Sequence, residues 1–216
     1  MYPAGNLLIP ASHGRLEAII KEPPDAVARR GAALVCHPHP LGGGTMHNKV
    51  VFRVAAGLVD AGLATLRFNF RSVGASTGAH DEGRGEQEDV RTALDYLSEH
   101  YPDQEITLAG FSFGSRVGMS VGISDPRVVR LISIGTPINK YDFDFLKTVS
   151  KPILFVHGDQ DEFGAVAPLR ELVDSLPSAV NAKLVIFENC GHFFDEHLNE
   201  LRKTIENWTN EQINNK

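Results

Sequence analysis

The stretch Ile106-Thr107-Leu108-Ala109-Gly110-Phe111-Ser112-Phe113-Gly114 decides the reading of this chain. Its first four residues are apolar or β-favouring and continue a strand predicted at 105–109. G-x-S-x-G follows, and a short helical pattern runs over 115–123. Strand, sharp turn and helix start leave a serine at the apex. Glycine at 110 and 114 permits a turn too tight for side chains. The Ser112 Oγ then stands clear at the carboxyl edge of a sheet, next to a helix N-terminus. G-x-S-x-G arises often by chance. Its placement between strand and helix marks Ser112 as a candidate nucleophile rather than a turn serine.

Working outward, apolar β-branched runs alternate with helical patterns. Strands are predicted at 6–9, 16–20, 32–36, 64–69, 105–109, 128–134, 152–157 and 183–187. The first two read as an antiparallel pair turning at Ser12-His13-Gly14. Several later strands are nearly continuous in apolar residues, which suits sheet positions covered on both faces. Helices are predicted at 48–60, 86–100, 115–123, 165–176 and 195–208, with the polar tail 211–216 expected to fray. No linker or internal repeat stands out. The expectation is one α/β domain over 1–216, with about eight mostly parallel strands and helices on both faces.

Composition narrows the function classes. With 216 residues, 42% of them hydrophobic, the chain can bury a sizeable core. The formal net charge of −6 disfavours a nucleic-acid partner. No apolar run approaches a transmembrane span, so no membrane partner is expected. The first twenty residues lack a basic segment followed by a long apolar core, so a secretory signal is not expected. Cys36 and Cys190 read as buried thiols, and a cytoplasmic location is expected.

A serine hydroxyl needs a base in contact, and the base needs an orienting acid. The predicted strand 152–157 runs into Gly158-Asp159-Gln160-Asp161-Glu162, and strand 183–187 into Glu188-Asn189-Cys190-Gly191-His192. Both segments follow carboxyl ends of strands, as Ser112 does, and those ends share one edge of a parallel sheet. His192 is the candidate base and Asp161 the candidate acid. Asp159 competes with Asp161, since either can cap the turn, and Glu162 ranks behind both. His197 reads as a surface or packing residue of the last helix.

An oxyanion needs two preorganised N–H donors. Phe113 offers one. The loop His37-Pro38-His39-Pro40-Leu41-Gly42-Gly43-Gly44 must offer the other. Prolines cannot donate, which leaves His39 first and Leu41 second. His37, His39 and His47 also have metal-ligand spacing, but the prolines and the lack of an acidic cluster argue against a metal site. The glycine run hints at a phosphate cradle, but G-x-x-x-x-G-K-[ST] is absent, so no cofactor is expected.

These motifs together resemble the α/β-hydrolase superfamily over nearly the whole chain. Within it the chain looks like the compact lidless serine hydrolases related to dienelactone hydrolase. The segments HPHPLGGGTMHNKVV and FNFRSVGASTG are similar to a bacterial subgroup of predicted hydrolases. The resemblance implies Ser112 as nucleophile, Asp161 as the acid of G-x-x-D and His192 as the histidine of the late G-H pair. Dienelactone hydrolase carries cysteine at the elbow, where this chain has Ser112. The interval 135–151 is too short for a lid domain, and Tyr141, Phe143, Phe145 and Leu146 are candidates to line one wall. Asp142, Asp144 and Glu162 sit near that rim in sequence and would disfavour strongly anionic substrates. Arg71 is expected to pair with Asp81, Glu82 or Asp89, or else to bind an acyl carboxylate. The expected activity is hydrolysis of small carboxylic esters. Amidase or peptidase chemistry, acyl transfer and a non-catalytic scaffold stay open, and the oligomeric state is not written in the sequence.

Overall fold

A computed structural model describes residues 6–24 and 29–215. Eight strands form one sheet in the order β1-β2-β4-β3-β5-β6-β7-β8. They are β1 (Leu7–Ala11), β2 (Gly14–Lys21), β3 (Gly31–Cys36), β4 (Leu63–Phe68), β5 (Ile106–Phe111), β6 (Val128–Ile134), β7 (Ile153–Gly158) and β8 (Ala182–Phe187). β1 and β2 are antiparallel to each other, and β2 to β4. All other pairings are parallel. Every residue of β3, β5 and β7 is buried, as expected of strands covered on both faces.

Alternate residues of each central strand feed two cores. On one face, Ala33, Val35, Ala109, Ile132, Leu154 and Val156 pack under α1 (Lys49–Asp60) and α5 (Leu198–Asn214). On the other, Ala32, Leu34, Leu108, Leu131, Ile153 and Phe155 meet α2 (Arg84–His100), α3 (Phe113–Gly122) and α4 (Val166–Asp174). No described helix is long and apolar enough to cross a membrane. Cys36 and Cys190 are buried free thiols.

The strand order reverses beside β3. The chain goes from β3 through α1 to β4 on one side, then through α2 to β5 on the other. Such a switch point leaves a crevice beyond the strands' carboxyl ends. Cys36 pairs with Gly110 there, so the loop after β3 and the turn after β5 lie side by side.

The last helix departs from its sequence expectation. It starts at Leu198 rather than 195 and continues to Asn214, through most of the segment expected to fray. Its polar end covers edge strand β8. Ile213 packs on the core, Lys183 pairs with Glu211 at 3.2 Å, and Asn181 Nδ2 donates to Gln212 Oε1. Composition alone misses contacts that only the fold creates. The interval 135–151 is loop plus one 3₁₀ turn, Asp144–Thr148. Phe143 and Leu146 of that interval are buried in the core, and of its four apolar candidates only Tyr141 reaches the cavity described below.

α1 and α5 cross tightly at Gly57. A Cβ there would lie 2.5 Å from the Arg202 carbonyl oxygen. Alanine favours a helix over glycine by about 1 kcal/mol. Gly57→Ala is nonetheless expected to destabilise by about 1–3 kcal/mol, because the helices must separate. Urea unfolding reads the change. A stabilised variant would contradict this packing.

Candidate active site

Ser112 sits at the junction of β5 and α3 with φ 56° and ψ −122°. That region is strained for a residue with a Cβ. The turn survives because its neighbours lack side chains. A Cβ on Gly110 would lie 2.3 Å from the Gly114 carbonyl oxygen, and one on Gly114 would lie 2.4 Å from that of His37. The Ser112 N–H donates to Ile134 O at 2.9 Å, fixing the apex to β6. Phe113 is the first residue of α3, so its N–H has no intrahelical acceptor.

His192 follows β8 and is buried, ringed by Phe111, Phe163 and Phe193 at centroid distances of 4.9, 4.6 and 5.2 Å. Its Nδ1 donates to Asp161 Oδ2 at 2.7 Å. Asp161 is itself buried, and its Oδ1 accepts the Phe163 N–H at 2.8 Å. Asp159 points elsewhere. Its Oδ1 accepts the Cys190 N–H at 3.0 Å and ties the turn after β7 to the loop after β8. Glu162 is exposed. His197 caps α5, packs on Phe187 and pairs with Glu200 at 3.1 Å.

Ser112 and His192 face one cavity of about 310 Å³, lined mostly by apolar side chains. Phe113, Pro137, Tyr141, Phe163 and Phe193 form its walls, with His39 and the glycines of its loop on one side. Asp142, Asp144 and Glu162 do not line it. The one fixed charge among its described lining residues is Lys140.

The loop after β3 is braced from within. The His39 carbonyl accepts the N–H groups of Gly42 and Gly44, both at 3.0 Å. Its Nδ1 accepts the Leu41 N–H at 3.2 Å, so Leu41 is already committed as a donor. The His39 N–H takes no part in this web among the described residues. Leu41 is 74% exposed and lies outside the cavity lining. The geometry therefore favours His39 over Leu41 as the loop donor.

His37 anchors the same loop. Its Nδ1 donates to Pro38 O at 2.6 Å, and its Nε2 accepts the Phe70 N–H at 2.9 Å. Both ring nitrogens are thus spent on backbone groups, which removes it from any metal set. Burial pushes its pKa down to about 4, so it is a neutral linker between the ends of β3 and β4. Arg71 forms a fork with the buried carboxylate of Asp89, at 2.8 Å from Nη2 to Oδ1 and 3.2 Å from Nε to Oδ2, and so braces the loop. Ser76 donates to Asn69 O and accepts the Glu17 N–H, a structural duty.

Sequence reading missed His157. It is fully buried, its Nε2 donates to Gly164 O at 2.6 Å, and that nitrogen lies 3.8 Å from Asp161 Oδ2. Its place directly before Gly158, at the end of an apolar strand, was the available signal. Lys140 and Phe163 were also missed as cavity residues, because nothing in the local pattern says which way a loop side chain points.

Residues 32–214 match the alpha/beta hydrolase domain family. The chain belongs to that family. It is 38% identical over 183 residues to an uncharacterised protein of Rickettsia prowazekii, covering 82% of this chain and 77% of that one. Among solved structures, it is similar to an alpha-beta serine hydrolase homologue from Coxiella burnetii. There the TM-score is 0.88 and the identity 38%, with 96% of this chain and 98% of that chain covered. An α/β serine hydrolase without lid from Xanthomonas campestris gives a TM-score of 0.88 at 32% identity, covering 98% and 97% of the two chains. The hydrolase fold and the compact form without a lid are those of this family.

The two aspartates of the β7 turn separate cleanly by experiment. Asp161→Asn is expected to lower turnover by orders of magnitude, about 10⁴-fold in the best-studied triad. Asp159→Asn keeps an acceptor for the Cys190 N–H and is expected to cost little beyond local stability. Steady-state kinetics of both variants decide it, and equal losses would contradict the distinction.

Proposed function

We propose that this protein is a serine hydrolase of small carboxylic esters that works through an acyl-enzyme. The observation that carries this reading is the placement of three groups. Ser112 is held in a strained apex at a helix N-terminus, and it faces one cavity with His192, whose Nδ1 is 2.7 Å from Asp161. The named likeness to serine hydrolases at more than 30% identity supports it.

In this reading, His192 Nε2 removes the Ser112 proton as Oγ attacks the ester carbonyl. Asp161 holds the Nδ1–H tautomer and stabilises the imidazolium. The carbonyl oxygen becomes an oxyanion held by the N–H groups of Phe113 and His39. Collapse expels the alcohol, which takes the proton from His192. Water then attacks the acyl-enzyme with His192 again as base, releasing the acid and restoring Ser112. The positive end of α3 adds to oxyanion stabilisation. The protein needs no cofactor or metal for these steps. A cavity of about 310 Å³ with apolar walls suits a short acyl group.

A panel of p-nitrophenyl esters of graded acyl length tests the reading. Turnover is expected for short acyl chains, and Ser112→Ala is expected to abolish nearly all of it. A fluorophosphonate is expected to add to Ser112 in the wild-type protein. Adduct on another residue, or turnover kept in Ser112→Ala, would overturn the assignment. Anilides cleaved as fast as the matching esters would move it to amidase chemistry.

A further inference from the structure

A second pocket of about 180 Å³ lies beside the cavity that holds Ser112. The two share Phe113 and Tyr141, whose rings stand 6.1 Å apart at their centroids. Glu82, Arg84 and Arg116 are the charged residues lining the second pocket. Arg84 is already paired with Asp81 at 3.0 Å. Glu82 is exposed to water.

Arg116 is different. It projects from the second turn of α3 and makes no ion pair among the described residues. Its guanidinium carbon lies over the Phe145 ring at 4.6 Å from the centroid, with Phe143 at 5.9 Å, and one amino group reaches Ser120 Oγ. Asp142 acts on it through space but lies outside ion-pair distance, and its Oδ1 is taken by the Asp144 N–H at 2.7 Å. Arg116 is half-buried. A guanidinium held against an aromatic ring and by Ser120 loses little freedom on binding and keeps further N–H donors in a planar fork, the geometry that receives a carboxylate. A partly desolvated, unpaired cation is a cost to the free protein that an anionic ligand would offset.

The chemistry of the main cavity sets the direction. His192 must protonate the leaving alcohol, so the alcohol lies on the side of Phe163 and Phe193. The oxyanion faces His39 and Phe113. That leaves the acyl chain the side away from His192, where Phe113 and Tyr141 border both pockets. We propose that the acyl chain enters the second pocket and ends in a carboxylate held by Arg116, so that the preferred substrates are half-esters of dicarboxylic acids. This rests on the ester-hydrolase reading above and names its substrate class.

The test compares p-nitrophenyl half-esters of dicarboxylic acids, from succinate to suberate, with methyl-terminated esters of equal length. At one chain length, kcat/KM of the wild-type protein is expected to favour the carboxylate ester by about tenfold or more. The preference is expected to weaken as salt is raised, and to fall to near one in Arg116→Gln. Arg116→Lys is expected to restore part of it. Because the readout is a ratio within each variant, a general loss of activity does not imitate the effect. Neutral esters cleaved by Ser112 with no preference at any length would overturn the subsite and leave the hydrolase reading standing. A preference that survives in Arg116→Gln, or that appears only with the carboxylate on the alcohol side, would also overturn it. No turnover of any ester would remove both.

Discussion

The backbone of Ser112 is held at φ 56° between a buried strand and a helix start, and the arrangement of the whole site follows from that constraint. A non-glycine residue in such a region costs about 1–3 kcal/mol. The cost is met by close approach on both sides. Gly110 lets the first turn of α3 fold back on the end of β5. Gly114 lets α3 press on the carbonyls of Cys36 and His37, at 2.5 and 2.4 Å from where a Cβ would stand. The same glycine that permits the turn thus seats the loop after β3 against the helix start. The Phe113 N–H and the His39 loop share one cavity for this reason.

Polar groups buried beneath the site keep that loop in place. Neutral His37 joins the backbone at Pro38 to that at Phe70. The buried Glu17 carboxylate accepts from Asn6, Asn69 and the Ala75 N–H, and Asn69 Oδ1 accepts the Met46 N–H. The loops after β3 and β4 are therefore cross-braced by charge-assisted and neutral hydrogen bonds withdrawn from water. Glu86, equally buried, holds His80 at 2.7 Å, and the His80 ring packs at a tilt against His39 at a centroid distance of 4.9 Å. The wall of the cavity is thereby continuous with the start of α2.

Much of this was legible in the sequence, for physical reasons. Strands buried on both faces write themselves as apolar runs, and all eight were found within a few residues. G-x-S-x-G announces its turn because no other residue type fits at 110 and 114. Asp161 and His192 stood out as candidates because each lies just past the carboxyl end of a strand at the same sheet edge, and the fold brings their side chains together. The G-x-x-D pattern put Asp161 ahead of Asp159, but the contact that separates them, with a loop 31 residues away, is visible only in the fold. Nor was the extension of α5 to Asn214, where contacts with β8 override a polar composition. Arg71, with three candidate partners in sequence, found the one that α2 buries.

In the proposed mechanism a serine apex and two backbone donors share one reacting centre. A crystal structure of the protein after reaction with a small alkyl fluorophosphonate tests this most directly. The phosphorus is expected on Ser112 Oγ, with the phosphoryl oxygen about 3 Å from the N–H groups of both Phe113 and His39. A phosphoryl oxygen turned away from that loop, or phosphorus bonded to a residue other than Ser112, would contradict it.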